Sequence, residues 1–474
     1  MDEEVDTLAY LRKESLDIFN RLHSIHEDVE FVNQVHATYP DAPILPNLRC
    51  GSWYVDPKIA TNTPAYFKST DGHFNNWSFN LRRSNLHLLP LIVERNGIIL
   101  VDSTRAGKRI PDALSKTVPI WCAVINRALL IRHPEEIVSR TSEWNTALYT
   151  PPSTVSRQEH NQIEQRLDEW AKLLAASSFA LPMMPHPLRP FWITPATSTF
   201  PTLPAGQDQS FLPVICVSAS KQIIQGVERR SGGFSYIQGS GDDHELWGLG
   251  LNPELFWAHH DDLLNANRTQ LPEIVSQIVA AKKLPSNPSN DALLPTPVVR
   301  IGGQLLISTI SEASAMKAQG GADQIAYLFL VPIVDEAPVE SCKTTLYISI
   351  TPGKKGQAEF LQTILPRSMK FISKSLAAGK NVCIACESGK DLSVGVALAA
   401  MQLFFTDDGK LDDSKLEANN AEANISACTI DKHSIRTRLE WIIASRPQAN
   451  PSRTTLKRVN EFLLTPLSLR NSRS

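Results

Sequence analysis

The segment Asn381-Val-Cys-Ile-Ala-Cys386-Glu-Ser-Gly-Lys-Asp-Leu-Ser393 places a thiol, a glycine turn and two hydroxyls directly after an apolar run, a combination suited to holding an anion. Val382 to Ala385 reads as a buried strand that delivers Cys386 to a tight turn through Gly389, and Val394 to Phe405 reads as the helix that follows. Such a turn aims several backbone N–H groups and the positive end of a helix dipole at one anion-sized space. A thiolate at that helix start would be nucleophilic. Cys383 lies within the apolar strand and reads as a buried structural thiol, not as a redox partner of Cys386.

This loop resembles that of the cysteine phosphatases, where Cys is followed by five residues and then Arg. Here the five residues end at Asp391 and Leu392 stands in the arginine position, so the bidentate clamp on a transferring phosphoryl group is missing. Lys390 remains as a point charge. The resemblance thus implies phosphate or pyrophosphate binding by Cys386, Ser388, Gly389, Lys390, Asp391, Leu392 and Ser393, with the phosphoenzyme route deprived of its main electrostatic support. Ser445-Arg-Pro-Gln-Ala-Asn-Pro-Ser-Arg453 and the residues up to Phe462 resemble the closing segment of dual-specificity phosphatases, an Arg-Pro turn leading to a last helix beneath the loop. The likeness runs from about Val298 to Leu464.

Four polar segments precede it. Ser69-Thr70-Asp71-Gly-His73 is the first. In the second, an apolar strand ends in Asp102 and runs into Ser103-Thr104-Arg105-Ala-Gly-Lys108-Arg109-Ile-Pro-Asp112, a layout common to phosphate-binding turns. It is not a Walker A loop, because no glycine precedes Gly107-Lys108 at the needed spacing and Arg109 occupies the hydroxyl position that would hold magnesium. The third, Gly239-Ser-Gly-Asp242-Asp243, suits a turn presenting oxygens to Mg2+ bridged to a polyphosphate, although a mobile surface turn would have the same composition. In the fourth, His259-His260-Asp261-Asp262, adjacent histidines on a helix point to different faces, so a solvated helix start is expected and not a metal site.

The elements that must position these residues divide into two groups. A chain of 474 residues with a formal net charge of −2 suits two or three globular domains and points to no global basic surface. Seven cysteines, scattered and odd in number, suit free thiols in a reducing compartment. The acidic N-terminus leads into an amphipathic pattern at Leu8, Leu11, Leu16, Phe19 and Leu22, unlike a targeting peptide, and no apolar run is expected to reach the length of a membrane span. The expected location is cytoplasmic. Proline and serine concentrate at 149–156, 194–210 and 284–298, the last being the expected domain boundary. Beyond it, strands are expected at 298–308, 325–331 and 344–350, and a helix at 357–378. The fold class expected is α/β: a mixed α+β N-terminal domain over 1–290, and a dual-specificity-phosphatase-like α/β domain over 291–474. An acidic stretch over 404–426 is expected as a solvated insertion. Past Ile430 the chain turns basic, and Arg436, Arg438, Arg453, Lys457 and Arg458 suit a face that tracks a nucleic-acid backbone as well as they suit an ordinary solvated helix.

Taken together, the motifs at 69–73, 102–112 with Lys116-Thr-Val-Pro-Ile-Trp-Cys122, 239–245 and 386–393 resemble the fungal and plant initiator tRNA 2′-O-ribosyl phosphate transferases over almost the whole chain. The resemblance implies transfer of phosphoribose from 5-phosphoribosyl-1-pyrophosphate to the 2′-hydroxyl of a T-stem adenosine, position 64, of initiator methionine tRNA. On that basis Asp242 and Asp243 would help to hold Mg2+, and Arg105, Lys108, Arg109 and Lys390, with Ser69, Thr70 and 102–104, would line the phosphates. His73 or Asp71 would orient the attacking hydroxyl. A duplex RNA acceptor would be recognised through shape, phosphates and 2′-hydroxyls. An active phosphatase and a non-catalytic phosphate-binding scaffold are the competing readings. Leu392 opposes the first, and the three acid-bearing turns oppose the second.

Overall fold

The computed structural model describes residues 2–105, 107–140, 144–204, 206–223, 228–282, 294–319, 324–333, 342, 344–351, 353–417 and 430–465. The chain divides into two compact units, 1–176 with 180–286, and 177–179 with 287–474. Of the expected boundary at 284–298, residues 284–293 lie outside the described residues.

The first unit is built on a parallel sheet of four strands, β1 (Ile44–Pro46), β2 (Ile98–Asp102), β3 (Leu188–Ile193) and β4 (Leu212–Ser218), in the order β1-β2-β4-β3. Every residue of β2 and β4 is buried, as expected of strands covered on both faces. The register pairs Asp102 with Ser218, so both stand at the carboxyl edge of the sheet. Helix Ile18–Thr38 begins at Asp17, whose side chain accepts the Asn20 N–H, and turns Leu22, Ile25, Val29 and Val32 into a core with Ile99, Val101, Ile215 and Val217. A short antiparallel pair, β5 (Glu228–Arg229) and β6 (Ser235–Tyr236), precedes the Gly239 turn.

Residues Ala113–Thr117 are wound as a π-helical turn that passes into helix Val118–Arg132. Contrary to the sequence expectation, the continuous helix Ala113–Arg132 is long and apolar enough to cross a membrane by length and composition. It is apolar all round because it is mostly buried, packing against β3 and helix Arg157–Ala175.

The second unit has the sheet order β10-β9-β11-β8-β7, from β7 (Thr296–Pro297), β8 (Leu305–Thr309), β9 (Ile325–Pro332), β10 (Thr345–Ile350) and β11 (Asn381–Cys386); only β7 is antiparallel. The strand expected over 298–308 is shorter, because Val299–Ile301 forms a 3₁₀ turn closed by Gly302. The helix expected over 357–378 starts at Gly353 and contains a second π-helical turn at Phe360–Ile364. Beneath the loop after β11, helix Leu392–Phe404 packs on helices Lys432–Ser445 and Arg453–Leu464. Of the acidic stretch, Asp413–Glu417 is a short helix, and 418–429 lie outside the described residues.

Candidate active site

Asp102 closes β2 with 0% of its surface exposed and is ringed by donors. Asn47 Nδ2 (2.9 Å), Arg49 Nε and Nη2 (3.2 Å each), Cys50 Sγ (3.0 Å) and its neighbour's Ser103 N–H (2.9 Å) all bond its carboxylate. Burial alone would lower the Arg49 pKa, yet Asp102, Cys50 and Asp242 together raise it. Burial and the Asp102 charge push the Cys50 thiol up, so Cys50 stays a protonated donor. This corrects the expectation for Asp102 as a phosphate ligand: a carboxylate so enclosed cannot face an anion and instead anchors Arg49. Ser103 is buried as well, with its Oγ 2.6 Å from Ser220 Oγ. The third guanidinium nitrogen, Arg49 Nη1, reaches Asp242 Oδ1 at 2.9 Å and thereby ties the second motif to the third.

The Gly239 turn packs on the same loop. Gly239 has φ +68°, and a Cβ there would stand 2.5 Å from the backbone of Thr104 and Arg105, so only glycine permits both the conformation and the approach. Gln238 Nε2 donates to the carbonyls of Thr104 (3.2 Å) and Lys108 (2.6 Å). At the rim Arg105 Nη1 meets Asp243 Oδ2 at 3.2 Å, both side chains being exposed. A groove of about 450 Å³ opens beside the turn, lined among others by Arg12, Arg21, Arg105, Asp242, Asp243 and Leu246.

The Ser69–Gly72 turn docks on the far end of the Ser103–Asp112 loop. Thr117 Oγ1 donates to Lys68 O at 3.1 Å, and a Cβ on Gly72 would come within 2.7 Å of Asp112 O. Asp112 takes Lys108 Nζ, Lys116 Nζ (2.9 Å) and His73 Nε2 (3.6 Å). Burial would raise the Asp112 pKa, but the two lysines outweigh it and the net shift is downward. Lys116 is also held by Glu159 (3.0 Å), which accepts Trp77 Nε1–H at 3.0 Å. Asp71 is locked in a two-pronged pair with Arg83 (2.9 and 3.0 Å), which corrects its assignment as an orienting base. His73 is 46% exposed, with Nε2 toward Asp112. Ser69 and Thr70 form the 3₁₀ turn itself. Arg109 contributes its carbonyl to Ser218 Oγ at 3.0 Å.

Asp242 and Asp243 each face an arginine, and among the described residues no three His, Cys, Asp or Glu side chains gather where they could hold a metal ion. A Mg2+ shared with a polyphosphate would take only one or two carboxylates from the protein, the number that this turn carries. His260 stacks on Trp257 at 5.3 Å, His259 lies 3.9 Å from Asp262, and both line one groove.

In the second unit Cys386, buried at the end of β11, has Sγ 3.1 Å from Ser393 Oγ and 3.9 Å from Ser388 Oγ. Burial pushes the Cys383 thiol up to about 11, as suits a structural residue. Arg446, 3% exposed, braces the loop from behind: Nε donates to Gly389 O (3.0 Å), Nη1 to Ile307 O (3.2 Å), and Nη2 pairs with Glu312 (3.2 Å). Asp391 Oδ1 accepts the Ser452 N–H at 2.8 Å, so it is a tether and not a phosphate ligand, while Lys390 is exposed. Leu392 begins the following helix, half-buried. Arg438 is 3% exposed, bonded to Met401 O, Phe405 O and Asp407 (3.2, 3.2 and 3.0 Å), and is withdrawn from any nucleic-acid face. Lys457 and Arg458 share Glu461 (3.9 and 2.6 Å). Arg436 and Arg453 are exposed. Arg49, Asn47 and Cys50 escaped the sequence reading; their signal is a run of Asn, Arg and Cys directly after the apolar strand Ile44–Pro46.

Each unit thus presents polar side chains from loops at the carboxyl ends of parallel strands, where ligands of such sheets bind, and each loop is braced by an internally paired arginine. That defines a two-unit α/β protein. Models of the Rit1 N-terminal domain and the Rit1 DUSP-like domain match residues 11–280 and 344–463. The chain belongs to the Rit1 family. It is 34% identical to the tRNA A64-2′-O-ribosylphosphate transferase of Saccharomyces cerevisiae, over 96% of this chain and 93% of that one. An uncharacterised protein of Schizosaccharomyces pombe, C3F10.06c, is 39% identical over 63% of this chain and 65% of its own. The solved structure of DUSP15 is similar at 18% identity and a TM-score of 0.24, covering 36% of this chain and 89% of that chain.

Proposed function

We propose that this protein is a tRNA-modifying transferase that places a ribosyl phosphate on the 2′-oxygen of adenosine 64, drawing it from 5-phosphoribosyl-1-pyrophosphate. The observation that carries this reading is the 34% identity across 96% of the chain to a transferase of that name. The gathering of the 69–73, 102–112 and 239–243 motifs on one loop of the first unit supports placing the reaction there.

In the reaction the bond from C1′ of the donor to its pyrophosphate oxygen breaks, the bond from O2′ of the adenosine to C1′ forms, and the 2′-hydroxyl gives up its proton. His73 Nδ1, with Nε2 turned toward Asp112, is the acceptor of that proton. Lys108 and Arg105, exposed at the two ends of the loop, meet the departing pyrophosphate and stabilise its growing charge. Mg2+ would come in as the counter-ion of the pyrophosphate, with Asp243, the exposed carboxylate of the turn, as a protein ligand. Restriction to initiator tRNA would rest on several weak backbone contacts, Arg436 and Arg453 among them.

The test incubates the purified protein with labelled donor, Mg2+ and unmodified initiator or elongator tRNA. Label on initiator tRNA alone is expected. Label on both would remove the initiator restriction, and label on neither, with phosphate released from a generic ester, would replace the transferase by a phosphatase.

A further inference from the structure

Asp28, on helix Ile18–Thr38, lies beneath the site with 3% of its surface exposed and touches no residue assigned above to the reaction. Its carboxyl is bonded by Ser220 Oγ and, at 2.6 Å, by the Tyr236 hydroxyl, which itself accepts the Lys221 N–H (2.8 Å). Ser220 Oγ continues to Ser103 Oγ at 2.6 Å, and Ser103 is in hydrogen-bond contact with the Tyr54 hydroxyl. The chain holds the functional turn at two points: Gly239 N–H donates to Ser220 Oγ (3.2 Å) and Gly241 N–H to Tyr54 (2.7 Å).

Ser220 Oγ has its hydrogen to give to Asp28 or to Ser103, and in either case its lone pairs take the Gly239 amide while the Tyr54 oxygen takes the Gly241 amide. The groups facing Asp28 are Tyr236 from β6, Tyr54 from the turn after β1, and its neighbour Glu27, which Arg230 holds at 2.7 Å; among the described residues no cation touches the carboxyl. Burial favours the neutral acid and raises the Asp28 pKa well above the ordinary carboxylate range.

We propose that Asp28 is a positioning residue of the transfer site: its carboxyl anchors the chain Ser220, Ser103, Tyr54, whose oxygens take the Gly239 and Gly241 amides and so fix the 239–242 turn that holds Asp242 on Arg49. The inference rests on the transferase reading. Because the neutral acid is the form favoured in the fold, stability is fully present below the ordinary carboxylate pKa and declines as pH rises through the raised one.

Asp28→Asn keeps one donor and one acceptor, as a protonated carboxyl does, and Asp28→Ala keeps neither. Transfer and thermal stability are measured for the protein and both variants. Asp28→Asn is expected to transfer within about threefold of the unchanged protein, whereas Asp28→Ala falls by at least about tenfold. Should Asp28→Ala not fold, Ser220→Ala cuts the chain while Tyr236 still satisfies one carboxyl oxygen, and about a tenfold loss is expected of it. Asp28→Asn falling as far as Asp28→Ala, or Asp28→Ala transferring like the unchanged protein, would overturn the proposal. If the unchanged protein transfers nothing, the transferase reading fails separately, and thermal stability alone still decides whether Asp28→Asn keeps the anchor that Asp28→Ala loses.

Discussion

The two units place an arginine behind a loop that follows a parallel strand, and they use it in opposite ways. In the second unit Arg446 donates to Gly389 O and Ile307 O and pairs with Glu312, so its charge is spent on the back of the loop. In the first, Arg49 rests on the buried Asp102 but extends its remaining nitrogen to Asp242 at the edge of an open groove. A cation enclosed on all sides rigidifies a loop; one anchored by a buried acid and open on its far side can answer to a ligand. The difference supports the proposal that the first unit carries the chemistry.

The change expected to damage most is Asp102→Ala. It strands Arg49 and Cys50 in the interior and should cost about 3–5 kcal/mol, with transfer abolished. Denaturant unfolding of the full chain measures this; a loss below about 1 kcal/mol would mean that Arg49 finds other partners. Next comes His73→Ala, which should lower kcat by about 10²-fold or more without moving the melting temperature, because the ring is 46% exposed. An unchanged kcat would move the proton acceptor elsewhere. Cys386→Ser sharpens the comparison from the other side: transfer should change by less than about threefold, while a loss of about 10³-fold would reinstate a covalent role for the second unit. Arg453→Ala, at an exposed position, should weaken tRNA binding modestly and reduce the salt slope by about one. The smallest effect concerns Asp112. Its pKa is lowered, so its stabilisation of the His73 turn is present above the ordinary carboxylate pKa and is lost as pH falls through the folded value. Unfolding followed through the acid range should show that loss, and Asp112→Asn should flatten it.

Motifs written consecutively were legible in the sequence. The strand, loop and helix at 381–404 and the three polar turns of the first unit announce themselves through glycine, hydroxyl and acid clusters after apolar runs. Partners far apart in the chain were not. Arg49 meets Asp102 and then Asp242, and Asp28 meets Ser220, across spans that only the strand order brings together. The strands of the first unit are buried on both faces, so they lack the alternation that would have fixed their order. Arg438 was legible but misread. On helix Lys432–Ser445 it falls on the stripe Ile435, Leu439, Ile442 at helical spacing, so its own helix placed it inside.

The π-helical turn at Ala113–Thr117 bears on how this family can change in length. A π turn amounts to one residue more than an α-helix needs, set between the Asp112 cluster and the buried helix Val118–Arg132. Losing one residue there would tighten the winding and swing everything before it by roughly 100° about the helix axis. Asp112 would then part from Lys116, and the His73 turn would lose its seat. Single-residue deletions should therefore be excluded from 113–117, while the proline-bounded loop at 149–156 absorbs them.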